Sequence, residues 1–408
     1  MTEVPSLPRT ALRRRLGFWL LAFYGLGNIL GAGIYVLVGQ VAGHAQLYAP
    51  LSFLAAALVA GFTALTYAEL SARFPVAAGV AIYVHEGFGI RGLSLVVGIA
   101  MACAGMFSAA TLARGFAGYA EVFLPWPEWR LIALLIVALT ALSVYGIAES
   151  LRVAALFTLA ELAGLLLIIA VGAPQLGRLP DLLASAPPLT APATWSGILL
   201  GAFLAFYAFL GFEDMVNVAE EAKDPRRDMP RAILSSLLVA LLLYAGVALV
   251  SVATLRPAEL AATEAPLAEV YRRATGDDPL VITGIALFAV VNGALVQIIM
   301  ASRIFYGMAR RGWLPGWLAR VNRRTGTPVR ATLAVGAAIL LLALRFPLVR
   351  LAEFTSYVTL GMFMLVNLAL LRIRRRPAPP GVRVYPGWVP VAGFLGAAAL
   401  LVAQLWWS

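Results

Sequence analysis

The sequence predicts an all-α polytopic membrane protein, and three observations carry that prediction. Apolar residues make up 62% of the 408 positions and charged residues only 12%, with a mean hydropathy of +0.88. That balance belongs to a chain solvated by lipid. Apolar runs of about 20 residues recur along the whole chain, each long enough at about 1.5 Å per residue to cross a hydrocarbon core of about 30 Å. Finally, 23 of the 31 Lys and Arg residues fall in alternate connections, which is the positive-inside pattern and not the single basic stripe that nucleic acid requires.

The first of eleven predicted spans, residues 17–42, follows Arg9, Arg13, Arg14 and Arg15 and is closed by no small-residue cleavage site. It reads as a retained span with a cytoplasmic N-terminus. Spans 48–72, 92–117, 130–147 and 152–172 follow, then 195–219, 231–254, 279–308, 329–345, 350–371 and 388–406. The connectors 74–92 and 312–329 mix apolar residues with His85, Glu86 and Arg91 or with arginines, so both are expected to lie along the membrane surface. Basic clusters at Lys223–Arg231, Arg310–Arg330 and Arg372–Arg376 share one side, as topology and lipid headgroups demand. Trp126, Trp129, Trp313, Trp317, Trp406 and Trp407 stand where an interfacial belt belongs. The expected location is a prokaryotic plasma membrane.

Several chemistries are disfavoured. Cys103 is the only cysteine, which leaves no intrachain disulfide and no cysteine metal site. With two histidines, His44 and His85, and neither a His-Glu-x-x-His nor a phosphate-binding loop, a membrane enzyme is not expected. A carbonyl filter or charge ring, as a channel needs, is likewise not displayed.

Two spans are irregular. Gly25, Gly27, Gly31 and Gly33 crowd span 1, and a tight helix crossing or an interrupted helix could each account for them. In span 6, Gly211 lies 180 residues after Gly31 and is followed by Glu213 and Asp214. Five spans are an odd number of crossings, so a second copy of such a unit must be inverted. Interrupted helices at corresponding places in two inverted halves point to a substrate site at the bilayer midplane. Unwinding frees backbone N–H and C=O groups there, and a zwitterion satisfies both. Its carboxylate is expected at the N–H groups around Gly31, Ala32 and Gly33, and its ammonium at carbonyls near Asn28, Ile29, Ala208 and Phe209.

At these residues the chain resembles the amino acid, polyamine and organocation superfamily. The resemblance rests on the Gly-rich span 1, Tyr67-Ala68-Glu69-Leu70 with Phe74-Pro75, and Phe209-Leu210-Gly211-Phe212-Glu213. It continues through Ala219-Glu220-Glu221, Asp224-Pro225-Arg226-Arg227-Asp228-Met229-Pro230-Arg231, Ala301-Ser302-Arg303, Met308-Ala309-Arg310 and Gly326-Thr327-Pro328. It implies the leucine-transporter-type fold of five plus five inverted helices with discontinuous helices 1 and 6. On that reading one transport domain fills 1–408, with halves at 17–172 and 195–371 and an extra helix at 388–406. The resemblance further implies alternating-access transport of an amino acid or amine, by proton symport or by exchange. Family members contact substrate mainly with the unwound parts of helices 1 and 6, here Ile29 to Ile34 and Tyr207 to Gly211, where Tyr207 and Phe209 could supply an aromatic gate or wall or serve as core packing. Bacterial relatives commonly carry twelve spans, while the transport core needs only ten.

Carboxylates at bilayer depth are costly and therefore functional candidates. Glu161, about nine residues into span 5, is a proton-coupling candidate, and Glu213 is a coupling or gating candidate. Sodium is disfavoured because span 8 has no hydroxyl between Thr283 and Ser302, and no other cofactor is expected. Glu69 is expected in a structural ion pair, with Arg303 as one possible partner. Asn292, Gln297 and Asn217 could line a pathway, and Thr355 and Ser356 could gate its external side. The expected partners are a small amino acid or amine and the lipid bilayer, without nucleic acid; monomer and homodimer are both open. The absence of a site-facing acid in span 6 other than Glu213 leans towards a small neutral amino acid over a cationic one.

Overall fold

The computed structural model describes residues 16–31, 33–75, 79–121, 123–145, 151–310, 312, 314–322, 325 and 327–407, with the side chains of 79, 151–156, 217, 220 and 221 left out. Span 1 forms two short helices, α1 (Phe18–Leu30) and α2 (Gly33–Ala45). Then come α3 (Ala49–Arg73), α4 (Gly79–Phe88), α5 (Arg91–Ala120), α6 (Glu128–Tyr145) and α7 (Leu151–Gly172), with the short α8 (Leu179–Ala184) in the following connection. The second half opens with α9 (Pro192–Ala208), which gives way beyond Gly211 to a 3-10 segment, Phe212–Glu221. It continues with α10 (Pro225–Thr254), the short α11 (Pro257–Ala262) and α12 (Pro266–Thr275), then α13 (Leu280–Arg310), α14 (Val329–Arg345) and α15 (Leu348–Ile373). A final helix, α16 (Trp388–Trp407), packs on α15, α3 and α9.

Nine helical stretches among the described residues are long and apolar enough to cross a membrane. One of them, Gly33–Arg73, turns at Gln46, whose φ is +54°, and so supplies two crossings. Adding the 17-residue α14 recovers the eleven predicted spans. Four pairs of helices at corresponding places in the chain pack on each other, α2 on α9, α3 on α10, α5 on α13 and α6 on α14.

One end of the bundle, termed here the arginine end, joins Leu16 to Lys223, whose N–H donates to the Leu16 carbonyl at 2.8 Å. At the opposite end the Tyr48 hydroxyl donates to the Pro187 carbonyl at 2.8 Å. Edge-on and tilted aromatic contacts fill the space between, with Phe53, Phe209 and Tyr244 in one group and Tyr67, Phe212 and Phe363 in another.

Three local expectations are corrected. The far half of span 6 is a ten-residue 3-10 run where an α-helix was expected. Runs of that length are uncommon, and Asp214, Val216 and Val218 disfavour the α form there through side-chain competition and β-branching. The connector 74–92 does not simply lie on the surface: Val80, Tyr83 and Val84 of α4 are buried, and Gly87 abuts Ala369 of α15. Glu69 pairs with Arg73 at 2.9 Å and Arg374 at 2.5 Å, not with the exposed Arg303. Arg73 lies one turn along α3, and Arg374 caps the neighbouring end of α15.

Candidate functional site

Span 1 is broken at the predicted place. α1 stops at Leu30, Gly31 leaves the helix with ψ of 174°, and α2 resumes at Gly33. Its partner break is at Gly211, whose φ of +121° is open only to glycine without strain. The two breaks touch. A Cβ on Gly211 would stand 2.3 Å from the Asn28 carbonyl oxygen, and one on Gly33 would stand 2.7 Å from Ala208 Cα. Gly25 and Gly27, in contrast, let α1 pack closely against Met215 and Thr158, so the crowded glycines divide between helix crossing and interruption.

Where the breaks meet there is a cavity of about 50 Å³. Asn28, Ile29, Gly31 and Gly33 line it from the first break, and Tyr207, Ala208 and Leu210 from the second. Ser108 and Leu112 of α5 and Gly293 and Gln297 of α13 complete the wall. This volume is far below the roughly 300 Å³ at which ligand pockets begin, so the conformer is contracted around its site. A second cavity of about 40 Å³ shares Ser108, Leu210 and Gln297 and continues towards the arginine end past Glu213, Asp214 and Thr355. In the other direction Leu37, Tyr207 and Ala352 form a buried apolar plug. The Tyr207 hydroxyl lies 3.0 Å from Ser108 Oγ and ties that plug to α5.

The remaining candidates fall in distinct places. Asn28 Nδ2 is buried with no hydrogen-bond partner among the described residues. The Ile29 carbonyl already accepts the Tyr244 hydroxyl at 2.6 Å. Ala32 is outside the described residues, as is the Asn217 side chain. Ile34 is fully buried within α2, and Phe209 faces Phe53 and Tyr244, so neither lines the cavity. Glu213 Oε2 accepts the Gly211 N–H at 2.8 Å, so this carboxylate closes one of the donors that the turn releases. Thr355 lines the second cavity and stands outside the apolar plug, while Ser356 is fully buried.

Glu161 belongs to a separate cluster on α7. It is 1% exposed, and its backbone carbonyl accepts the Tyr35 hydroxyl at 2.9 Å, while the Tyr35 carbonyl accepts Tyr119 at 2.7 Å. Tyr244, within electrostatic reach of Glu161, connects this cluster to the Ile29 carbonyl at the first break. Ser108, Leu112 and Gly293 are wall residues that sequence reasoning missed. A single serine, leucine or glycine in a long apolar run leaves no spacing signal, and only the crossing of α5 and α13 with the breaks selects them.

The amino acid permease family model matches residues 16–407. The branched-chain amino acid permease BcaP of Bacillus subtilis is 30% identical over 406 residues, covering 92% of this chain and 86% of the relative. BcaP of Lactococcus lactis is also 30% identical, over 91% of this chain and 86% of the relative. Vacuolar cationic amino acid transporter 4 of Arabidopsis thaliana is 31% identical over 91% of this chain and 65% of its own length. These relatives are permeases and transporters, which makes the chain a membrane transport protein and not an enzyme. With a match that runs through both halves of the broken-helix bundle, the chain belongs to the amino acid permease family, within the amino acid, polyamine and organocation superfamily.

Proposed function

We propose that this protein is a secondary active transporter that imports a small neutral amino acid by alternating access, driven by protons. The observation that carries the reading is the contact of the two breaks around a cavity whose lining holds no charged side chain among the described residues. The substrate carboxylate meets the free N–H groups at the start of α2, with Asn28 Nδ2 as a further donor. Its ammonium meets carbonyls at the end of α1 and near Ala208. The Ile29 carbonyl serves both Tyr244 and the substrate, since a carbonyl oxygen has two lone pairs. The apolar side chain lies against Leu112 and Leu210, and the names of the two BcaP relatives favour this neutral class.

Coupling falls to Glu161 and Glu213. Protonation of Glu213 weakens its hold on the Gly211 N–H and loosens the turn, and Glu161 acts on the first break through Tyr244. A proton gradient is preferred to sodium because α13 has no hydroxyl between Thr283 and Ser302. The arginine end faces the cytoplasm of a plasma membrane, so the space leading from the site opens inward.

Uptake of labelled leucine and lysine into proteoliposomes, under an imposed pH gradient or an imposed sodium gradient, tests the reading. Leucine accumulation that requires the pH gradient and is abolished in Glu161→Gln is the expected result. A second reading, exchange of cationic amino acids or amines, draws on Glu213 and Asp214 in the adjoining cavity and on the Arabidopsis relative. Lysine counterflow faster than leucine uptake, without any gradient, would establish that reading in place of the first.

A further inference from the structure

At the arginine end, the start of α10 and the connection between α15 and α16 enclose a crevice of about 500 Å³. Arg226, Arg227 and Arg231 line it from α10, and Arg383 lines it from the connection. The one acid in its wall, Asp224, is already engaged as the cap of α10, accepting the Arg227 N–H at 3.3 Å. Among the described residues none of these four guanidinium groups is ion-paired with a carboxylate. Arg383 lies over the Tyr385 ring, and other arginines of the same end are ion-paired, Arg374 with Glu69 and Arg376 with Glu86.

The crevice is a built feature. Arg226 Nη1 donates to the Pro380 carbonyl at 2.7 Å, joining segments more than 150 residues apart, and Gly381 turns the chain beneath it with φ of +82°. Four cations gathered on one hollow repel one another, and an anion that accepts several guanidinium donors at once relieves that repulsion. Phosphate matches the guanidinium fork and has enough oxygens to accept from several guanidinium groups at once. The rim adds a second requirement: Leu234 lines the wall, and Val384, 51% exposed, sits in the chain between the lining residues Arg383 and Tyr385.

We propose that this crevice binds the phosphate of an anionic phospholipid headgroup, clamping the start of α10 to the α15–α16 connection. Tyr385 lines the same crevice, and its N–H donates to Glu69 Oε2 at 3.1 Å, so the clamp bears directly on the buried ion-pair cluster. The proposal is independent of which substrate is carried.

The full chain in phosphatidylcholine-containing micelles would be titrated with phosphatidylglycerol, and separately with inorganic phosphate, with thermal unfolding as the readout. Phosphatidylglycerol should raise the melting temperature at concentrations where inorganic phosphate does not. Arg227→Gln/Arg231→Gln/Arg383→Gln should weaken the apparent lipid affinity by about a hundredfold. A control with the same charge loss at exposed positions of the same end, Arg320→Gln/Arg330→Gln/Arg375→Gln, should keep it. Equal loss in both variants would reduce the effect to diffuse charge and overturn the site, and equal stabilisation by inorganic phosphate would overturn the lipid assignment. Should the crevice variant not fold, native mass spectrometry of the unmodified protein decides: preferential retention of phosphatidylglycerol over phosphatidylcholine supports the proposal, and equal retention overturns it.

Discussion

At Gly211 two demands coincide, a positive φ of +121° and a neighbouring carbonyl oxygen 2.3 Å from where a Cβ would sit. Gly211→Ala should therefore cost about 1–3 kcal/mol of stability through backbone strain and abolish uptake, since the second break must shift against Asn28. Unchanged melting and transport would show that the turn is not under this constraint. Glu264, between α11 and α12, behaves differently. Partial burial against Gly118 and the nearby Glu128 and Glu121 hold its pKa above the ordinary 4.5, with Arg114 opposing. The folded state thus keeps the proton to higher pH than the unfolded chain, and stability falls as pH rises from 4.5 through the raised value. Glu264→Gln should melt slightly higher than the unmodified protein at pH 7, with the difference closing as pH approaches 4.5. A difference that does not vary over that range would contradict the assignment. Gly31 and Gly211 could be found in the sequence because glycine in an apolar run is a chemical anomaly; Asn28 was expected there through the carbonyls around it, and only the structure shows its unpartnered side-chain amide.

Between elements, the decisive contacts are side-chain hydrogen bonds to backbone carbonyls of α1, one beside the first break and one within the helix. Tyr244 of α10 holds the Ile29 carbonyl of α1, and Ser236 of α10 holds the Ala22 carbonyl at 2.9 Å. Tyr244→Phe should lower stability by about 1 kcal/mol, the value of one buried hydrogen bond, and shift the dose of amino acid needed to stabilise the protein in a melting assay; no change in either would leave Tyr244 as packing alone. Glu69, fully buried, binds α3 to the end of α15 and to the following connection through Arg73, Arg374 and the Tyr385 N–H. Breaking such a cluster leaves two arginines without their carboxylate, so Glu69→Gln should destabilise by about 3–5 kcal/mol, measured by loss of folded protein on size exclusion and in melting. Element existence was legible because length and hydropathy decide it. The 3-10 form of 212–221, the burial of α4 and the identity of the Glu69 partner were not, because each depends on neighbours distant in sequence.

For the molecule as a whole, four pairs of helices at corresponding places in the chain pack on each other, and the candidate site lies where the two broken spans cross. The inverted arrangement could be argued from an odd number of spans and one glycine offset. The direction in which the site opens could not, since it rests on the Leu37–Tyr207–Ala352 plug at one side and the second cavity at the other. On the proposed alternating access, that plug parts while the space past Glu213 closes. In a Cys103→Ser background, Leu37→Cys should accordingly be labelled by a membrane-impermeant thiol reagent far more slowly in the contracted conformer than when excess substrate is cycling. The most direct measurement is the structure of the protein bound to the neutral amino acid that raises its melting temperature most. The substrate carboxylate should lie within hydrogen-bonding distance of the Gly33 N–H, with its ammonium against the carbonyls ending α1 and those near Ala208. A ligand bound away from both breaks, with α1 and α2 joined in one continuous helix, would contradict the account.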